Sequence, residues 1–97
     1  MAVDEKLLRT ATNAPQSVWF DDLVSLAKQF GWIEVGGDGS HTVFRHPEAA
    51  KIKDKYPRPL NLQRGYNGKA KVYQVKQLLD MAKAMNLIDH ESKDKPR

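Results

Sequence analysis

The sequence predicts an α+β fold in which a three-stranded antiparallel sheet packs on helices, in the order α-α-β-β-β-α. Two segments carry apolar residues at helical spacing, and short alternating segments bounded by glycine and proline lie between them. The 97 residues fit one domain. We therefore expect a single domain over residues 1–97, with a flexible charged tail at 89–97.

Caps and apolar spacing identify the first two helices. A short helix runs from Asp4, its N-cap, to about Ala11. A second helix begins between Ser17 and Phe20 and ends before Gly31, a typical C-terminal stop. The second helix has an apolar face at 3.6-residue spacing, which predicts core positions at Phe20, Leu23, Val24, Ala27 and Phe30.

Alternation and glycine identify the first hairpin. Residues 32–35 are predicted as a strand, Gly36–Gly39 as the turn and His41–His46 as the returning strand. Phe44 is the largest apolar side chain of the returning strand, so its face is expected to pack on the helices. The opposite, open face then carries His41, Val43 and Arg45.

The remainder of the chain supplies one more strand and one more helix. After a long basic loop at 47–59, Leu60–Gln63 is predicted as a strand with its leucines inward, and Arg64–Gly68 as a turn. A final helix at 70–86 has a core stripe of Val75, Leu78, Leu79, Ala82 and Met85. The last four elements resemble the arrangement of double-stranded-RNA-binding domains.

Composition restricts the class of protein. There is no cysteine, which excludes disulfides and thiolate metal sites and suits a reducing, cytoplasmic location. We expect no membrane association, because no apolar run approaches the roughly 18 residues of a spanning helix. The formal net charge is +4, and one basic half stands out. Its cations predict either a polyanion-binding face or a solvated lysine-rich loop: Lys51, Lys53, Lys55, Arg58, Arg64, Lys69 and Lys71.

His41 is the candidate for acid–base chemistry. Histidine changes its charge in the physiological pH range, and Arg45 on the same face can hold a phosphate. Backbone N–H groups of the glycine turn, at Gly37, Gly39 and Ser40, can approach the same anion. His46 is predicted to face the other way, so we expect no metal site. The alternative is that His41 merely caps a hairpin.

Several motifs in register resemble the HicA family of bacterial toxins. They are Val18-x-Phe20-x-Asp22-Leu23, Phe30-Gly31-Trp32, Gly39-Ser40-His41, Val43-Phe44-Arg45-His46-Pro47, Leu60-Asn61-Leu62-Gln63 and Gly68-Lys69-Ala70-Lys71-Val72-Tyr73-Gln74-Val75. The resemblance covers about Asn13 to Ile88 and points to a longer branch of the family. One departure is Gln63-Arg64-Gly65, where short members often carry Pro-Arg-His.

The resemblance implies a double-stranded-RNA-binding-like fold and a ribosome-independent mRNA endoribonuclease with His41 catalytic. It also implies a HicB-type antitoxin partner and neither metal nor other cofactor. We expect Arg45 and Arg64 to assist at the phosphate, and other basic residues to bind the RNA backbone: Lys51, Lys53, Lys55, Lys69 and Lys71. Two alternatives stay open, a non-catalytic RNA-binding module on the same fold and a protein-interaction module.

Overall fold

The structure, a computed structural model, describes residues 4–38, 41–48, 60–85 and 87–88. Within these residues three helices and one three-stranded antiparallel sheet follow in the predicted order, which confirms the α+β class. The helices are α1 (Glu5–Asn13), α2 (Phe20–Gln29) and α3 (Val72–Ala84). The strands are β1 (Ile33–Asp38), β2 (His41–Arg45) and β3 (Leu60–Gln63). The tail predicted at 89–97 lies outside the described residues.

The helix ends follow the signals in the sequence. The Asp4 carboxylate caps α1, because its Oδ1 accepts hydrogen bonds from Lys6 N and Leu7 N at 3.1 Å each. After the C-terminal end of α2, Gly31 adopts φ +99°, a conformation that glycine reaches without steric cost. A Cβ at Gly31 would also lie 2.8 Å from His46 Nε2, so a larger residue does not fit there.

The hairpin differs from the prediction in the position of its turn. The turn predicted at Gly36–Gly39 is wrong, since β1 continues to Asp38 and pairs Gly36 with Val43 and Gly37 with Thr42. A β-bulge between Glu34 and Gly36 shifts the register and carries the ladder through the glycines. Gly37 adopts φ +123° within the strand, where a Cβ would collide with the carbonyl oxygen of His41.

One face of the sheet is committed to the core, as the alternation predicts. Phe44, Leu60 and Leu62 are fully buried and belong to one cluster with the apolar faces of α2 and α3. The opposite face of β2 carries half-buried His41 and exposed Arg45. The predicted separation of the two faces is therefore confirmed.

His46 ties the end of β2 to the end of α2. Its Nε2 lies 2.8 Å from the Phe30 carbonyl oxygen, and the Glu48 backbone N donates to its Nδ1 at 3.0 Å. A carbonyl oxygen only accepts, so Nε2 carries the proton and Nδ1 is the acceptor. The ring also makes an edge contact with Trp32, with centroids 5.2 Å apart. His46 therefore has a structural role.

The central position of Phe44 leads to a stability prediction. Phe44→Ala should lower the free energy of unfolding in urea by about 3–5 kcal/mol, because it removes a ring from a closed core. The control is Ile33→Ala on the open face, where Ile33 is 58% exposed and the loss should be about 1 kcal/mol or less. Equal losses for the two variants would contradict the assignment of the core face.

Candidate nucleic-acid interface

A cleft of about 300 Å³, lined by side chains that carry polar groups, opens beside β3, between the outer face of the sheet and α3. Strand residues form one wall and the first turns of α3 form the other. The described side chains that line it include no carboxylate: they are His41, Asn61, Gln63, Tyr73, Gln74 and Gln77. A cleft lined by an imidazole, amides and a phenol offers hydrogen-bond donors that suit an anionic or polar ligand.

Strand pairing brings His41 to this cleft. His41 is the register partner of Gln63, and Val43 is the partner of Asn61. Directly opposite residues of an antiparallel pair lie on the same face of the sheet, with Cβ atoms about 4.5–5.5 Å apart. Because Leu60 and Leu62 occupy the core, Asn61 and Gln63 share the open face with His41.

Gln74 fixes α3 to the free edge of β3. Its Oε1 accepts from Gln63 N at 2.9 Å, and its Nε2 donates to the Asn61 carbonyl oxygen at 3.1 Å. The side chain thus replaces a neighbouring strand at this edge, which also protects it from pairing with another chain. Gln74 is only 6% exposed, so its amide group binds these two backbone groups away from water. An apolar side chain of similar size at this position would leave both groups covered and without a partner.

Lys71 is a predicted cation that contacts Gln63, the strand partner of His41. It lies immediately before α3, and its Nζ donates to Gln63 Oε1 at 2.9 Å. This bond orients the Gln63 amide, so its NH₂ group is available to donate to a ligand. The bond also holds the positive charge of Lys71 beside Gln63, the residue paired with His41 in the sheet.

The other predicted phosphate-binding residues lie elsewhere. Arg45 is at the opposite end of β2, about 13 Å along the strand from His41, and does not line the cleft. Arg64 stacks on the Phe20 ring, with its Cζ 4.7 Å from the centroid, and Lys69 Nζ lies 4.0 Å from the centroid of the Trp19 ring. The structure therefore joins Lys71, and not these three cations, to the cleft residue Gln63.

Some predicted site residues are not described. Lys51, Lys53 and Lys55 belong to the 49–59 segment, which lies outside the described residues. Gly39 and Ser40 also lie outside the described residues. Gly37 is described, but it lies within β1 opposite Thr42 and not in a turn. Its proposed approach to a phosphate is therefore not supported by a turn geometry at that position.

The four amide side chains that line the cleft were missed from the sequence as site residues, namely Asn61, Gln63, Gln74 and Gln77. The signal for Gln63 was present, since it alternates with two inward leucines and therefore faces outward with His41. Gln74 and Gln77 are three apart on α3 and share one side of the helix. Their approach to β3 depends on tertiary packing, which helical spacing alone does not give.

Further classes of site were sought in the part of the chain that the structure describes. There, no group of three or more histidine and carboxylate side chains could hold a metal ion. None of the helices in the described ranges has the length and apolar character that crossing a bilayer requires. No known family model, no curated protein and no solved structure matches the chain.

The edge contact of Gln74 leads to a second stability prediction. Gln74→Leu should lower the free energy of unfolding by about 1–3 kcal/mol, because two backbone groups lose a buried partner. Amide hydrogen exchange at Gln63 should become faster in the same variant. The matched control is Gln77→Leu on the same side of α3, which should leave exchange at Gln63 unchanged. Equal protection of the Gln63 amide in both variants would contradict the edge-capping role.

Proposed function

We propose that the protein is a metal-independent endoribonuclease that cleaves mRNA, acting as the toxin of a type II toxin–antitoxin pair. The observation that carries the proposal is the position of His41 in an open cleft, directly across the sheet from Gln63, whose Oε1 accepts a hydrogen bond from the Lys71 ammonium group. The motif resemblance to HicA toxins assigns the same histidine and adds a HicB-type antitoxin as partner.

The reaction needs few groups. The ribose 2′-oxygen attacks the adjacent phosphorus as the 2′-hydroxyl loses its proton, and the bond from phosphorus to the 5′-oxygen breaks. The leaving 5′-oxygen gains a proton, so the products are a 2′,3′-cyclic phosphate and a 5′-hydroxyl. A positioned acid or base contributes about 10²–10⁴-fold to such a step. His41 is the titratable group that we assign to one of these two proton transfers.

The neighbours of His41 suit the second requirement, stabilisation of charge on the phosphate. Negative charge on the nonbridging oxygens can be met by the Gln63 NH₂ group, which Lys71 orients through its 2.9 Å hydrogen bond. Donors that are already positioned act without reorganisation during the reaction. Lys71 takes the helping role at the phosphate that Arg45 and Arg64 were expected to have.

Two other functions remain as alternatives. A non-catalytic RNA-binding module would use the same cleft and cations without proton transfer. A protein-interaction module is favoured by Ile33 and Val35, which are 58% and 51% exposed on the edge strand β1. The antitoxin offers a use for these exposed apolar residues within the leading proposal, because partner surfaces are commonly apolar at their centre.

His41 is the first residue to change. His41→Ala should reduce cleavage of a fluorophore-labelled single-stranded RNA in EDTA by about 10²–10⁴-fold, because one proton transfer loses its catalyst. Circular dichroism and thermal unfolding should match the parent protein. Cleavage by His41→Ala at the parent rate would reject His41 as the catalytic residue and with it the proposed mechanism. RNA binding without cleavage by the parent protein would favour the non-catalytic module.

Lys71 provides a test of charge stabilisation at the phosphate. Lys71→Met should lower kcat/KM by about 10–100-fold, because a charged hydrogen bond that orients Gln63 is lost. Lys76→Met is the matched control, since it removes the same charge from an exposed position on α3 and leaves the hydrogen bond from Lys71 to Gln63 in place. Similar losses in both variants would assign the effect to net charge and would contradict a local role for Lys71.

A further inference from the structure

A second surface combines exposed aromatic rings with ordered cations. It comprises Trp19, Arg64, Tyr66 and Lys69, and we refer to it as the aromatic–cation patch. Tyr66 is 87% exposed and Trp19 is 50% exposed. The two cations sit over aromatic rings, with Lys69 over Trp19 and Arg64 over Phe20. Large rings exposed beside positive charge are unusual for a surface whose only function is solubility.

The backbone of the patch is held by a dense set of hydrogen bonds. Isolated β-bridges join Trp19 to Lys69 and Arg64 to Ala70. Gly65 N donates to the Lys69 carbonyl oxygen at 2.8 Å, which closes the segment from both sides. The Tyr66 ring therefore projects from a constrained turn, and its ordering on binding a ligand costs less entropy.

The cations of the patch are restrained as well. Arg64 lies over the Phe20 ring while its Nη2 is 3.5 Å from Asp21 Oδ1. Lys69 Nζ is 4.0 Å from the Trp19 ring centroid. Neither contact neutralises its cation fully, because the Asp21 side chain is 86% exposed and a ring carries no net charge. Both cations can therefore pair with an added anion.

The patch is continuous with the His41 cleft through Lys71. The Lys71 side chain crosses Gly65, where its Cγ lies 3.3 Å from the position that a Cβ would take. Its Nζ then reaches Gln63 in the wall of the cleft. A single-stranded nucleic acid, with its phosphates and bases, that enters the cleft can thus extend over Gly65 to Tyr66.

We propose that the aromatic–cation patch binds the single-stranded stretch of RNA that flanks the nucleotide in the His41 cleft. A base stacks on Tyr66, and phosphates pair with Arg64 and Lys69. Stacking requires a base that is free of its neighbours, which selects single-stranded RNA over a duplex. The assignment rests on the proposed function for the cleft, and it adds a substrate class and a subsite.

The test uses the full chain and a fluorescein-labelled, fully 2′-O-methylated single-stranded RNA. The methyl groups block 2′-oxygen attack, so binding is measured by anisotropy without cleavage. Tyr66→Ala should weaken binding about 5- to 100-fold, whereas Tyr66→Phe should bind like the parent because it keeps the ring. Affinity within twofold of the parent for Tyr66→Ala would overturn the proposal.

Salt dependence tests the phosphate contacts separately. Lys69→Gln should reduce the slope of log affinity against log salt by about 0.7, the value for one lost contact with a single strand. The control is Lys28→Gln, which removes the same charge near the C-terminal end of α2. Lys28 lies about 12 Å along the helix from Phe20, so the slope should stay unchanged. Equal slopes for the parent and both variants would overturn the phosphate contact at Lys69.

The outcomes separate this subsite from the nuclease. Cleavage of unmodified RNA together with Tyr66-independent binding would keep the nuclease and reject the subsite. Tyr66-dependent binding with no cleavage would keep the subsite and reject the nuclease. Unchanged affinity in Tyr66→Ala together with an unchanged salt slope in Lys69→Gln would reject an RNA subsite. A protein partner would then be the ligand to test for the patch.

Discussion

The strict alternation of side chains along β2 and β3 determines both the packing of the core and the geometry of the candidate site. Phe44, Leu60 and Leu62 are fully buried, so one face of the sheet is committed to the core. A slip of one residue in either strand would expose these groups and bury polar ones, which would cost several kcal/mol. The same constraint holds His41 and Gln63 together on the outer face. Core packing thereby sets the geometry of the candidate site.

Helix α3 converts this polar face into a cleft. Its apolar stripe joins the core, while Gln74 satisfies the two backbone groups at the free edge of β3. The position of the helix is therefore defined by packing and by directional hydrogen bonds at once. Lys71, which precedes the helix, consequently lies within reach of Gln63 and links the cleft to the aromatic–cation patch. Stability and the proposed chemistry depend on the same few contacts.

Local signals predicted most of the fold, but only part of the site. The spacing in α2 and the two inward leucines of β3 were sufficient because both patterns reflect a single buried face. The turn predicted at Gly36–Gly39 was wrong, since glycine permits a turn and also permits a bulged strand. Pairing with β2 decided between the two. The alternation in β2 predicted that His41 faces outward, and the structure agrees. The contact of Lys71 with the neighbouring Gln63, and the separation of Arg45 and Arg64 from the cleft, depend on strand register and on helix packing between distant residues.

In the proposed function, RNA occupies the cleft between the open sheet face and α3. The most direct measurement is an NMR titration of the ¹⁵N-labelled protein with a 2′-O-methylated single-stranded RNA. We predict that the largest amide shifts fall at His41, Gln63 and Gln77, on both walls of the cleft, with smaller shifts around Tyr66. Saturable shifts confined to α1 or to Ile33 and Val35, with the cleft amides unmoved, would contradict the account.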